Sequence, residues 1–82
     1  MSAAALPTEP GVRDLVLRIL GLQGKPTVDL TRSAVPEWDS LKHMEIVFAL
    51  EDRYSVQFDE SEFPALDTPA AITAALRRHL AA

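Results

Sequence analysis

The residue best placed to do chemistry is Ser40, in the run Trp38-Asp39-Ser40-Leu41 that opens the helical pattern of residues 38–52. Its hydroxyl, or the Asp39 carboxylate, can cap that helix by accepting a hydrogen bond from a free first-turn N–H. Ser40 is not a hydrolase nucleophile: no Gly-x-Ser-x-Gly elbow surrounds it, and so small a chain offers no triad to activate it. The only histidines, His43 and His79, each fall on an apolar face or at a helix end, where a hydrogen-bonded structural ring is the ordinary reading. Asp59, Glu60 and Glu62 lack the regular oxygen spacing of a calcium loop and read better as acids capping a short helix. There is no Cys, which excludes disulfides and thiolate metal sites. Any thiol chemistry must come from an added group.

The helix behind Ser40 carries two apolar faces. On a wheel of about 100° per residue with Ser40 at zero, His43, Ile46, Val47, Leu50 and Tyr54 share a sector of about 100°, as a core face does. Met44, Phe48 and Leu41 form a second stripe at roughly 40°, 80° and 100°. Glu51 flanks that stripe on one side, and Glu45 and Asp52 flank it on the other. One helix in a small protein seldom buries two separate faces. A second stripe with an acidic border and a hydroxyl at its head is expected to be a docking surface.

Asp39-Ser40-Leu41, followed by Glu45 and then Ala49-Leu50-Glu51, resembles the second helix of an acyl carrier protein. The close match runs from about Pro36 to Pro69, and the flanks match in helix placement. The resemblance implies that Ser40 carries phosphopantetheine, with Asp39 and Leu41 beside the attachment point, and that the following helix is the surface read by partner enzymes. It implies a phosphopantetheinyl transferase and an acyl- or aminoacyl-loading ligase, synthase or transferase as partners. A phosphodiester at a helix N-terminus faces free N–H groups and the positive end of the dipole, worth roughly 0.3–1 kcal/mol at an exposed site. Glu37 and Trp38 depart from the commoner family pattern, and Trp-Asp-Ser-Leu marks a subset of free-standing carriers. Trp38 either clamps the loop against the helix start or meets a partner, and burial as the usual contribution of a large aromatic favours the clamp. Lys42 and Arg53 stand where acids are common in the family. An aminoacyl or peptidyl carrier is the nearest alternative, although the paired Gly of that family is missing. An unmodified helical interaction module is the alternative of a different class.

Charge is unevenly distributed. Residues 37–62 hold eight of the twelve acids and, in Lys42 and Arg53, only two of the eight bases. An acidic surface beside an apolar stripe suits transient docking to basic patches, with Leu41, Lys42, Met44, Glu45, Phe48, Glu51 and Asp52 as the contact residues. The formal net charge of -4 and pI of about 4.9 disfavour nucleic acid as a partner.

The remaining segments must position that helix. Thr8 followed by Glu9-Pro10 predicts a first helix with Val12, Leu15, Val16 and Ile19 on its core face, stopped by Gly21 and Gly24. Residues 1–8 read as a flexible tail, and residues 9–82 as a single domain. Residues 23–37 show no sustained period and are expected to form a long first loop pinned by Val28, Leu30 and Val35. After the organising helix, Val56 and Phe58 are expected to turn inward. Asp59-Glu60-Ser61-Glu62 matches a capping box for a short third helix that buries Phe63 and Leu66 and is broken by Pro64. Thr68-Pro69 starts the last helix, with Ile72, Ala75, Leu76 and either His79 or Leu80 facing the core. Arg77, Arg78 and His79 suit the negative end of its dipole.

With 82 residues the chain is long enough for one small domain. The expected fold is all-α, a four-helix bundle of the acyl-carrier type with three longer helices and a short third. The longest apolar run, Ile46 to Leu50, is far too short to span a bilayer, and no signal-peptide pattern opens the chain. A monomeric, cytoplasmic protein that catalyses nothing itself is the expectation.

Overall fold

Each of the four main helical segments begins on a side chain suited to the task. The computed structural model describes residues 6–25 and 29–81. Thr8 caps α1 (Glu9–Leu20) by accepting from the Gly11 N–H at 3.1 Å. Asp39 caps α2 (Ser40–Tyr54) by accepting from the Lys42 N–H at 2.9 Å. Asp59 and Glu62 form the capping box of a 3₁₀ helix, η2 (Glu60–Ala65), with the Asp59 N–H donating to Glu62 Oε2 at 2.9 Å. Thr68 accepts from the Ala71 N–H at 3.0 Å to start α3 (Pro69–Ala81). Such a cap is worth about 1 kcal/mol, because it satisfies a donor that the helix cannot reach.

The expected short third helix is thus a 3₁₀ segment. Pro64 inside it lacks an N–H and cannot propagate an α-helical ladder. A further 3₁₀ turn, η1 (Arg32–Ala34), lies in the long first loop where no regular element was expected. Three residues are too few to show a period. The Arg32 N–H donates to the Asp67 carbonyl at 2.9 Å and ties this loop to the junction between η2 and α3. Leu30 and Val35 are buried as expected. Val28 and residues 1–5 of the expected tail lie outside the described residues.

The core runs between α1, α2 and α3, and α1 packs against both of the others. That double contact widens its buried arc beyond the expected stripe. Leu17 and Leu20 are buried with Val12, Leu15 and Val16, whereas Ile19 is only partly covered. Gly21 ends α1 in the left-handed region at φ 74°, and the Leu22 N–H returns to the Leu17 carbonyl. Ser55 ends α2 in the same conformation at φ 55°, an uncommon one for a residue with a Cβ. Phe58 is buried behind that exit and Val56 is half-buried.

Ile72, Ala75 and Leu76 supply the core face of α3, joined by Pro69 and Thr73. Of the two candidates at its end, His79 turns inward. Its ring meets Phe58 edge-on at 5.1 Å, and its Nε2 lies 2.9 Å from Glu62 Oε1, while Leu80 is exposed. The packed region also begins earlier than residue 9. Pro7 is buried, its carbonyl lies 3.4 Å from Arg77 Nη2, and a capping Thr8 must itself be fixed. Among the described residues there is no strand, and no helix is long and apolar enough to cross a membrane.

Candidate functional site

The head of α2 divides its tasks between neighbours. Asp39, not Ser40, takes the capping role, so Ser40 sits at the first helical position with its side chain exposed. The Ser40 hydroxyl has no hydrogen-bond partner among the described residues. The N–H groups of the first turn that Asp39 does not reach have no intrahelical acceptor, so an anion placed here meets donors and the positive dipole end. Asp39 is itself exposed, as is Leu41 on the other side.

Behind this exposed edge the chain is held firmly. Trp38, two residues before Ser40, is 3% exposed, so the clamp reading describes its position and a direct partner contact does not. Its indole Nε1–H donates to His43 Nδ1 at 2.9 Å. On the opposite side of the ring, His43 Nε2 lies 2.9 Å from the Phe63 carbonyl of η2. An indole N–H can only donate and a carbonyl can only accept. These partners therefore fix the neutral Nε2–H tautomer, with Nδ1 accepting and Nε2–H donating. Burial holds the His43 pKa below its ordinary 6.5, and Arg32 pushes in the same direction. The Phe63 carbonyl and Asp67 oppose the shift without reversing it.

The second stripe of α2 is largely open. Leu41 is 70% and Phe48 59% exposed, and Met44 between them is half-buried. Its acidic border is less uniform than the sequence alone implies. Glu45 pairs with Lys42 at 3.4 Å, a partly exposed contact that lowers its effective charge toward a partner. Glu51 folds toward the helix exit, where Oε2 accepts from the Phe58 N–H at 2.8 Å. Asp52 is exposed. A cleft of about 420 Å³ between Leu6, Pro7 and Leu80, and another of about 360 Å³ between η2 and α3, contain no residue of α2. Ser40 thus lies outside both. Among the described residues no cluster of His, Asp and Glu is placed to hold a metal ion.

No family model matches this chain, and no curated protein or solved structure is significantly similar to it. The fold brings Asp39, Ser40 and Leu41 together at one exposed helix head and continues the surface through Met44 and Phe48. It draws Glu51 partly away from that surface. The contact that sequence reasoning missed is the Trp38–His43–Phe63 chain. The apolar position of His43 shows in the sequence, but a partner twenty residues away does not.

Proposed function

We propose that this chain is an acyl carrier protein, bearing acyl or related intermediates as thioesters on a phosphopantetheine arm joined to Ser40. One observation carries the reading. Asp39 takes the capping bond from the Lys42 N–H, so the Ser40 hydroxyl is left exposed and uncommitted beside first-turn N–H groups that favour a phosphate. The residues present fit the group: a hydroxyl for the ester and first-turn N–H donors for its anionic oxygens. When bound, the arm supplies the thiol that the cysteine-free sequence lacks.

In this reading the chain's own residues position and present. Trp38 and His43 hold the segment that sets the position of Ser40. Leu41, Met44 and Phe48 offer apolar contact to a phosphopantetheinyl transferase and then to loading ligases, synthases or transferases. Glu45, Asp52 and Lys42 set the approach of those partners, since rim charges act mainly on encounter rate and orientation. The carrier performs no bond-making step itself. Its contribution is reach and a high local concentration of cargo at each successive active site.

Co-expression with a phosphopantetheinyl transferase tests the proposal. Intact mass should show one arm per chain, and Ser40→Ala should show none while circular dichroism stays at wild type. An arm on another residue, or no arm with several broad-specificity transferases, overturns it and leaves an unmodified helical interaction module.

A further inference from the structure

A side-chain hydrogen-bond line runs from the segment that enters α2 to a distant element. Trp38 and His43 are both buried, at 3% and 4% exposure, and among the described residues no buried side-chain nitrogen or oxygen lacks a partner. The bond from Trp38 Nε1–H to His43 Nδ1 and the contact of His43 Nε2 with the Phe63 carbonyl form a continuous line from the entry segment, through the ring, to η2. The two rings are tilted at 35° with centroids 6.0 Å apart, so the hydrogen bond rather than face-to-face stacking sets their relation.

We propose that Trp38, His43 and the Phe63 carbonyl form an acid-operated latch, which holds the segment leading into Ser40 against η2 while His43 is neutral and releases Trp38 when the ring gains a proton. The chemistry is one of donor and acceptor count. A neutral ring offers one acceptor and one donor, matching an indole and a carbonyl. A protonated ring offers two donors, so the new Nδ1–H points at the indole N–H across a distance fit for one hydrogen only. The bond to Phe63 survives this change and the bond to Trp38 does not. The release is therefore directional: the Trp38 indole comes free while His43 stays tied to η2.

Charged groups from the packed elements bear on the ring in opposite senses. Arg32 of η1 disfavours the proton, and Asp67 from the junction before α3 favours it. The Arg32 N–H also donates to the Asp67 carbonyl, so the backbones that carry the two groups are joined. On α2 itself, Lys42 pairs with Glu45 at the surface, and on η2 Glu62 is engaged by His79. The latch is independent of whether Ser40 carries an arm. It concerns only how firmly the segment before Ser40 is held.

Nuclear magnetic resonance on the ¹⁵N-labelled full chain tests it, titrated from neutral pH to about pH 5, the range in which histidine changes charge. The His43 ring nitrogens should report the Nε2–H tautomer at neutral pH and titrate below 6.5. The Trp38 indole N–H should shift, and lose protection from solvent exchange, with the same midpoint. The Val16 amide in α1 and the helical circular dichroism should not change over that range. In His43→Gln, which keeps a donor for Phe63 but has no Nδ1, the indole signal should no longer follow pH. In Trp38→Phe, which removes the opposing donor, the His43 midpoint should move up toward 6.5. An indole that stays fixed while His43 titrates overturns the latch. So does an unmoved His43 midpoint in Trp38→Phe, or loss of helical signal at the indole's own midpoint, which would make the event global unfolding.

Discussion

His43 and Glu62 make opposite demands on pH. His43 is stabilised neutral, with burial as the main cause, so its folded-state pKa lies below 6.5 and the unfolded chain takes up the proton more readily. Stability from this group is complete above about pH 6.5 and declines as pH falls toward the folded-state value. Glu62 is held below its ordinary 4.5, first by the Asp59 N–H and then by His79, and Asp59 is held below 3.8 by Ser61. Their contributions are present above those values and are lost as pH falls through the lower folded-state ones. Urea unfolding across a pH series should therefore show two separate declines, the first beginning near 6.5 and the second below 4.5. His43→Gln should abolish the first and keep the second. A single decline confined to the acid range would show that the neutral ring adds no pH-dependent stability. At this scale the sequence is partly legible. The wheel places His43 on the buried face, and caps at Thr8, Asp59 and Thr68 follow from local spacing. The bonds to Trp38 and to the Phe63 carbonyl follow only from the packed fold.

The elements were legible wherever a period or a cap was long enough to read. The face of α2 expected to be buried, His43, Ile46, Val47, Leu50 and Tyr54, is the face that is buried. The η1 turn escaped because three residues carry no period, and the extra coverage of Leu17 and Leu20 escaped because one helix cannot reveal that two others flank it. The asymmetry of α2 makes a direct test. Leu50 is 0% exposed, and Leu50→Ala should cost about 2–5 kcal/mol, since a cavity remains where the side chain was. Phe48 is 59% exposed, and Phe48→Ala should change stability by about 0.5 kcal/mol or less. Denaturant midpoints at unchanged slope measure both. Equal losses would mean that Phe48 is covered in solution.

At the scale of the molecule, charge is divided unevenly along the chain. Residues 37–62 carry a formal charge of -6, and the rest of the chain carries +2. That imbalance was legible from the sequence, but its local form was not, because the contacts of Lys42 with Glu45 and of Glu51 with the Phe58 N–H depend on side-chain placement. On the proposed carrier reading, these details decide how each change acts. Phe48→Ala should lower the rate of arm addition with the fold intact, because it removes apolar contact from the middle of the exposed stripe. Glu45→Lys should slow association and flatten its dependence on salt, because it inverts a rim charge that steers encounter. It should act more strongly than simple loss of that acid, since Lys42 then stands beside a second cation instead of a partner. Asp52→Lys, at an exposed acid with no such neighbour three residues before it, should produce the smaller of the two reversals. The measurement is the rate of arm addition against salt for wild type and each variant, with circular dichroism as the check on folding. Wild-type rates and wild-type salt dependence in both Phe48→Ala and Glu45→Lys would remove this face of α2 from the docking surface.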